Sequence, residues 1–229
     1  MSQENAKRSA AGAAAKLVEP NMVIGLGTGS TAREFIQALS QKCKSGLKIQ
    51  AVASSQDSAQ LASQLNIPLL DINDVSHIDL TVDGADEVDP QFRMIKGGGG
   101  AHVREKILAS SSNRICILVD PSKLVEKLGK RPLPVEVIPY GSPATRQKIE
   151  QIGLKGAWRQ KKDGSLWITE NGNYLFDIHF DTPPLFPEEV DLKLRLIPGV
   201  VDTGFFFHLV DVLIIGHSDG TAETRHPPA

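Results

Sequence analysis

Five short, nearly continuous apolar segments punctuate the first 120 residues: Met22 to Leu26, Lys48 to Ala53, Pro68 to Ile72, Ile78 to Val82 and Arg114 to Val119. Segments with helical spacing separate several of them, at Thr31 to Lys42, Gln56 to Leu65 and Ala101 to Ser111. A strand with no polar alternation has to be covered on both faces, and helices that cross over between successive strands supply the cover. The first 130 residues are therefore predicted to form an α/β domain, with a mostly parallel sheet and helices on both faces in a Rossmann-like arrangement. The run Ala10 to Ala15 contains no Leu, Ile or Phe, so it reads as a further helix and not as a signal peptide.

The pattern changes at Arg131-Pro132-Leu133-Pro134. Beyond it follow a strand (Val135 to Ile138), a helix (Ala144 to Ile152), strands broken by the turns Lys162-Asp163-Gly164 and Asn171-Gly172-Asn173, a helix (Glu188 to Leu196) and a strand (Val200 to Phe207). Gly and Asn tolerate the positive φ that tight hairpins require. The order β-α-β-β-β-α-β predicts a ferredoxin-like α+β unit. Asp211 to Gly216 again reads as a buried parallel strand that rejoins the first sheet. The expected organisation is thus an α/β domain of residues 1–130 and 206–229 with an α+β domain, 131–205, inserted in it. The tail Arg225 to Ala229 is expected to fray.

Bulk properties narrow the classes of function. A chain of 229 residues can bury a full core, and a net charge of −2 offers no electrostatic footing for nucleic acid or an anionic membrane. No apolar run approaches the roughly 20 residues that span a bilayer. Two cysteines make a disulfide framework improbable: Cys116 lies inside an apolar strand and Cys43 in a polar helix end. A reducing, cytoplasmic setting is expected. The six histidines are scattered and neither EF-hand nor His/Cys spacing occurs, so no metal site is expected.

Gly25-Leu26-Gly27-Thr28-Gly29-Ser30-Thr31 follows a strand and opens a helix. Free amides at a helix start favour an anion, and Thr28, Ser30 and Thr31 add hydroxyls, which suits a phosphate group. A dinucleotide suits it less: Ser30 stands where the third glycine of that fingerprint belongs, and no acid follows about 20 residues on, where Leu47-Lys48-Ile49-Gln50 stands. A capped turn without a ligand is the other reading.

A second polar concentration runs from Asp83 to Lys106. Asp83 and Asp86, with Gly84 and Ala85 between them, fall where a buried strand meets a loop, the usual ligand position of open α/β sheets. Turn-forming aspartates are the alternative, and that reading is taken for Asp89. Lys96 precedes Gly97, Gly98, Gly99 and Gly100, a cation beside backbone amides that could hold an oxyanion. In the next helix Val103, Ile107 and Leu108 are expected to face inward. By helix pattern alone Glu105 is a solvated residue, with only small neighbours (Ala101, Ala109) one turn away. Asp120-Pro121-Ser122-Lys123 repeats the strand-end pattern, and Lys123 is either solvated or directed to the ligand.

GLGTGST, DGAD, KGGGGA, REK, DPSK, LPVEVIP and IPGVVDTGFF occur in this order along essentially the whole chain, which thereby resembles the type A ribose-5-phosphate isomerases. The resemblance implies an α/β domain carrying an inserted α+β domain, a homodimer or homotetramer, no cofactor, and interconversion of ribose 5-phosphate and ribulose 5-phosphate through an enediolate. It further implies that Glu105 is the general base and that Lys96 with the amides of Gly97 to Gly99 stabilises the oxyanion. Asp83 and Asp86, with Gly84 and Ala85, would bind sugar hydroxyls and assist ring opening; Thr28, Gly29, Ser30, Thr31, Lys123 and Lys7 would bind substrate. Gly100 and His102-Val103 depart from the common pattern of that family without removing a functional group. Two other readings compete. A sugar-phosphate-sensing effector-binding protein should add a helix-turn-helix and a basic patch, and this chain has neither; a nicotinamide-dependent dehydrogenase is disfavoured by Ser30 and the missing acid.

Overall fold

A computed structural model describes residues 3–228. In chain order the helices are α1 (Gln3–Ala15), α2 (Ser30–Lys44), α3 (Gln56–Gln64), α4 (His102–Ser110), α5 (Ser142–Gln151) and α6 (Pro187–Arg195). The strands are β1 (Val23–Leu26), β2 (Gln50–Ala53), β3 (Leu80–Gly84), β4 (Glu87–Val88), β5 (Met94–Ile95), β6 (Ile115–Val119), β7 (Leu133–Val137), β8 (Lys155–Trp158), β9 (Tyr174–His179), β10 (Val200–Thr203), β11 (Phe205–Phe206), β12 (Val212–Gly216) and β13 (Ala222–Arg225). They fall into two units: Met1–Ala85, Arg104–Leu124 and His208–Ala229 form one, Asp86–Val103 and Val125–Phe207 the other.

The first unit is built on a six-stranded sheet of order β13-β12-β6-β3-β1-β2. All its pairs are parallel except the edge pair β12 and β13. Every residue of β6 and β12 is buried, as strands covered on both faces must be. One core layer joins Phe35, Ile36 and Leu39 of α2 to Leu26, Val82, Leu118 and Ile214 of the sheet. Each such side chain, taken fully out of water, contributes about 1.5–3 kcal/mol. The alanines of α1 let that helix lie close: a Cβ on Gly216 of β12 would stand 1.9 Å from the Ala6 carbonyl oxygen. Burial pushes the Cys116 thiol up to about 12, so it is an inert core residue. The chain runs from β1 outward to β2 and then resumes on the other side of β1 with β3, so the strand order reverses between β1 and β3. Such a reversal opens a crevice at the carboxyl ends of the two strands.

Two expectations fail in this unit. Pro68 to Ile72 is not a strand: Leu69 makes a single bridge to Ala51, and the Asp71 side chain accepts the Asn73 amide at 2.8 Å to start a short 3-10 turn. An aspartate of this kind offers the backbone a partner that competes with a ladder. The tail does not fray at Arg225, because Ala222–Arg225 pairs antiparallel with β12 after a turn that Asp219 closes by accepting the Thr221 amide at 2.9 Å. Ala229 lies outside the described residues.

The second unit has an antiparallel sheet of order β10-β7-β9-β8 with α5 and α6 in the two connections, the ferredoxin-like arrangement. Its core holds Leu133, Val135, Val137, Ile149, Phe176, Ile178, Leu194 and Phe205. The extra strand expected between the two turns is reduced to two single bridges, Gln160 to Leu166 and Ile168 to Tyr174. The fully buried Glu136 engages that segment instead: its carboxylate accepts from Thr169 Oγ1 (3.1 Å), Asn171 Nδ2 (3.0 Å) and Asn173 Nδ2 (2.8 Å). Val200 to Phe207 is also not one strand. It breaks at Gly204, whose amide donates to the Pro134 carbonyl at 2.7 Å. Beyond the break β11 joins a three-stranded sheet, β11-β5-β4. This pairing is why residues 86–103 belong with the second unit, whereas the sequence boundary at 131 leaves them with the first.

Candidate active site

At the switch point of the first unit, Gly25 within β1 and two glycines of the loop after it have separate reasons to be there. A Cβ on Gly25 would stand 1.9 Å from Thr81 Oγ1, and one on Gly27 2.0 Å from Asp83 Oδ1, so both let β3 approach. Gly29 meets nothing within 4 Å and has φ 99°, a left-handed conformation that disfavours side chains. It precedes α2, which has no side-chain cap. Thr28, Ser30 and Thr31 are partly or fully exposed, and the first-turn amides of a helix without a side-chain cap can receive an anion.

Asp83 lies within β3, not beyond its end, and is 2% exposed. Its Oδ1 accepts the Thr28 amide at 3.1 Å and the Gly84 amide at 2.7 Å, while the Gly27 amide donates to the Val82 carbonyl at 3.0 Å. Thr28 is also tied to Ser54 through their hydroxyls at 2.8 Å. An ideal Cβ on Gly84 would lie 3.7 Å from the Thr31 side chain. The structure thus brings Thr28, Gly29, Thr31, Asp83 and Gly84 together, with Asp83 holding the loop.

Glu105 contradicts the helix pattern. It is 4% exposed, in the first turn of α4, with Ala101, His102, Leu108 and Ala109 buried around it. Ile107, expected to face inward with Val103, is instead 50% exposed. Spacings of three and four residues put 101, 105, 108 and 109 on one face, so the buried face carries the acid and Leu108 but not Ile107. A buried carboxylate is costly to keep. Its burial against the helix pattern singles out Glu105 as a candidate site residue.

In the second unit Lys96 is 4% exposed, with its Nζ 5.2 Å from the centre of the Phe206 ring. An aromatic face attracts a desolvated cation by about 0.5–2 kcal/mol. Its backbone amide donates to the Gly204 carbonyl at 2.9 Å. The glycine run then turns tightly, with Gly100 N–H donating to Gly97 O at 2.9 Å. Gly97 has φ 97°, and a Cβ there would stand 2.8 Å from both His102 and Pro134. Gly98 and Gly99 are exposed. Asp86 Oδ2 accepts the Gly98 amide at 2.8 Å, so Asp86 is brought against this run. Sequence reasoning missed Arg159 and Asp177. Arg159 donates from Nη1 to Gly97 O (3.0 Å) and Gly98 O (3.1 Å) while Asp177 grips the rest of its guanidinium. No local motif announces them; only the register of β8 and β9 brings them together.

Lys123 ends a short 3-10 turn capped by Asp120 and is half-buried. Burial works against an ionised Asp120, yet hydrogen bonds from Ser122 and Gln3 outweigh it and hold this carboxyl below its ordinary value. Gln3 Nε2 reaches Asp120 at 3.1 Å, and Lys7 is one turn further along α1 on that side. A cavity of about 390 Å³ lined by Gln3, Ala6, Asp120, Ser122, His217 and Asp219 lies here. It includes none of the predicted site residues, and its two aspartates suit an anion poorly. Among the described residues no group of three or more His, Cys, Asp or Glu is placed to hold a metal. Among them, too, no helix is long and apolar enough to cross a membrane.

A doubly wound sheet with an anion-type loop at its switch point defines a class of phosphate-binding α/β proteins, and comparison with known proteins narrows it. Residues 50–220 match the family model described as ribose 5-phosphate isomerase A (phosphoriboisomerase A). The ribose-5-phosphate isomerase A of Chlamydia felis is 51% identical over 217 residues, 93% of this chain and 92% of that one. The protein of that name from Parvibaculum lavamentivorans is 44% identical over 227 residues, 96% and 98% of the two chains. A solved D-ribose-5-phosphate isomerase in complex with phospho-erythronic acid shares 37% identity with a TM-score of 0.93, over 99% of this chain and 100% of that one. The chain belongs to the ribose 5-phosphate isomerase A family and is an isomerase.

Proposed function

We propose that this member of the family interconverts D-ribose 5-phosphate and D-ribulose 5-phosphate through an enediolate, with Glu105 as the base. The burial of Glu105 on a helix whose pattern would expose it carries the reading. The Glu105 carboxylate removes the C2 proton of the open-chain aldose. The C–H electron pair becomes the C1–C2 double bond, and the carbonyl pair moves onto O1. Return of the proton to C1, while the O2 hydroxyl proton passes to O1, gives the ketose. A positioned carboxylate and charge stabilisation at the oxygen are the two requirements of this chemistry.

The second requirement is assigned to Lys96 with the amides of Gly97 to Gly99. Asp86, through its bond to Gly98, and Asp83, through its bonds to Thr28 and Gly84, are assigned to the sugar hydroxyls and ring opening with Gly84 and Ala85. Thr28, Gly29, Ser30, Thr31, Lys123 and Lys7 are assigned to the substrate, its phosphate above all. The relative bound to phospho-erythronic acid supports this: a carboxylate on a phosphorylated polyol shares the planar, anionic character of an enediolate. No cofactor or metal enters these steps. Exposed Leu185, Phe186, Leu192 and Leu196 in the second unit support a homo-oligomer, and the two free cysteines fit a cytoplasmic enzyme.

The test is incubation of purified, chelator-treated protein with ribose 5-phosphate in deuterated water. Ribulose 5-phosphate should form, and deuterium should enter at carbon. Conversion that stops on chelation would overturn the metal-free route, and product without deuterium would point to hydride transfer or to a fully shielded proton. Glu105→Gln should slow conversion and exchange together.

A further inference from the structure

We propose that Arg159, locked by Asp177, is a positioning residue that keeps the Gly98 amide N–H on Asp86 and sets the direction of the Gly99 amide N–H, and that isomerisation depends on it through them. The inference rests on the reading that the glycine run holds the oxyanion. Arg159 follows β8, and Asp177 is in β9. The guanidinium donates from Nε to Asp177 Oδ2 at 2.8 Å and from Nη2 to Oδ1 at 2.6 Å. This two-point pairing fixes the guanidinium plane, and both side chains are largely shielded, at 15% and 18% exposure. The remaining nitrogen, Nη1, is thereby aimed by the sheet. It donates to Gly97 O at 3.0 Å and Gly98 O at 3.1 Å.

In a trans peptide unit the C=O and N–H point in opposite directions. Drawing the Gly97 carbonyl to Arg159 turns the Gly98 N–H away, which is where Asp86 Oδ2 accepts it at 2.8 Å. Drawing the Gly98 carbonyl likewise turns the Gly99 N–H away from the guanidinium. Successive glycines have no Cβ to favour one orientation of these units over its reverse, so the orientation needs an outside holder. A cation on the two carbonyls also polarises the units and strengthens their N–H groups as donors. A purely structural ion pair across the hairpin would engage Nε and Nη2 alone. The third nitrogen on two carbonyls of an exposed loop is what that role leaves unexplained.

The experiment compares wild type with Arg159→Met, Arg159→Lys, Asp177→Asn and Lys96→Ala in steady-state kinetics, inhibition by phospho-erythronic acid, and thermal unfolding. Arg159→Met should lower kcat about 100-fold, the scale of one lost oxyanion donor, with KM changed less than about threefold. Inhibitor affinity should fall along with kcat, and ethylguanidine should restore part of the rate. Arg159→Lys keeps a charge beside Asp177 but cannot reach carboxylate and both carbonyls, so it should lose kcat at near-normal stability; if Arg159→Met does not fold, this variant carries the test. Asp177→Asn should show a smaller loss of the same kind. Wild-type kcat in folded Arg159→Lys or Arg159→Met, or a loss confined to KM, would overturn the proposal. Should Lys96→Ala also keep wild-type kcat, the oxyanion reading itself would fall; should it be impaired while the Arg159 variants are normal, only the positioning role would.

Discussion

The Asp83 carboxylate holds the loop after β1 by accepting the Thr28 amide at 3.1 Å, and with the same oxygen it accepts the amide of Gly84 at 2.7 Å. One buried acid thus ties the ends of two adjacent parallel strands across the switch point of the sheet. Removing it leaves two amides without their acceptor. Asp83→Ala should cost about 1–3 kcal/mol in urea unfolding and raise KM for ribose 5-phosphate, because the loop loses its anchor. Asp83→Asn keeps an oxygen at Oδ1 and should lose less than half as much stability. Equal losses in the two variants would show that the charge, not the acceptor geometry, holds the loop.

The glycines of that loop separate by the same geometry. Gly27→Ala places a methyl 2.0 Å from Asp83 Oδ1, so β3 or the loop must move. Gly29→Ala meets no atom within 4 Å and bears only the cost of its backbone conformation, φ 99° with ψ −179°, about 1–3 kcal/mol. Thermal unfolding should rank Gly27→Ala below Gly29→Ala. Substrate affinity should fall in both, and Gly29→Ala should show the fall with most of its stability retained.

Glu105→Gln keeps the shape of the side chain and removes its basicity. We expect kcat to fall by roughly 10²- to 10⁴-fold, the usual worth of a positioned base, with KM within about threefold of wild type. A variant that turns over normally would remove Glu105 from the proposed mechanism.

How far the sequence anticipated this can be followed through the same residues. The doubly wound sheet was legible because β6 and β12 are buried throughout, and the apolar runs say so directly. The ferredoxin-like unit was legible from its turns. Residues 86–103 were not: β4 and β5 are two residues each, and β5 is held between β4 on one side and Phe205 and Phe206, distant in sequence, on the other. The inward face of α4 was misread because Ile107 outweighs Glu105 in any hydrophobic pattern, whereas the structure buries the acid. Local patterning reports the burial of apolar groups, so a functional carboxylate placed inside works against it. Arg159 and Asp177 were invisible for a simpler reason: their meeting depends on strand register.

Lys96 is buried as well, held over the Phe206 ring at 5.2 Å. Lys96→Ala should lower kcat by about 10²-fold or more with a smaller change in KM, as expected for a cation whose partner develops only in the transition state. Phe206→Leu keeps an apolar side chain but removes the π face, and should reduce kcat several-fold. An effect of Lys96→Ala on KM alone would reassign the lysine to ground-state binding.

Asp120 supplies a test by pH. Burial disfavours its ionised form, but hydrogen bonds from Ser122 and Gln3 and the nearby Lys123 charge prevail, so its folded pKa lies below the ordinary value. A group depressed in this way contributes stability above its unfolded pKa, about 3.9, and loses that contribution as pH falls through its folded value. Asp120 also caps the turn that carries Lys123. Asp120→Ala should therefore cost about 0.5–2 kcal/mol at pH 7, the range of a lost cap, and the gap from wild type should narrow steadily below pH 4. Thermal unfolding of both proteins from pH 7 to pH 3 measures it. A gap independent of pH would mean that Asp120 acts through packing and not through its charge.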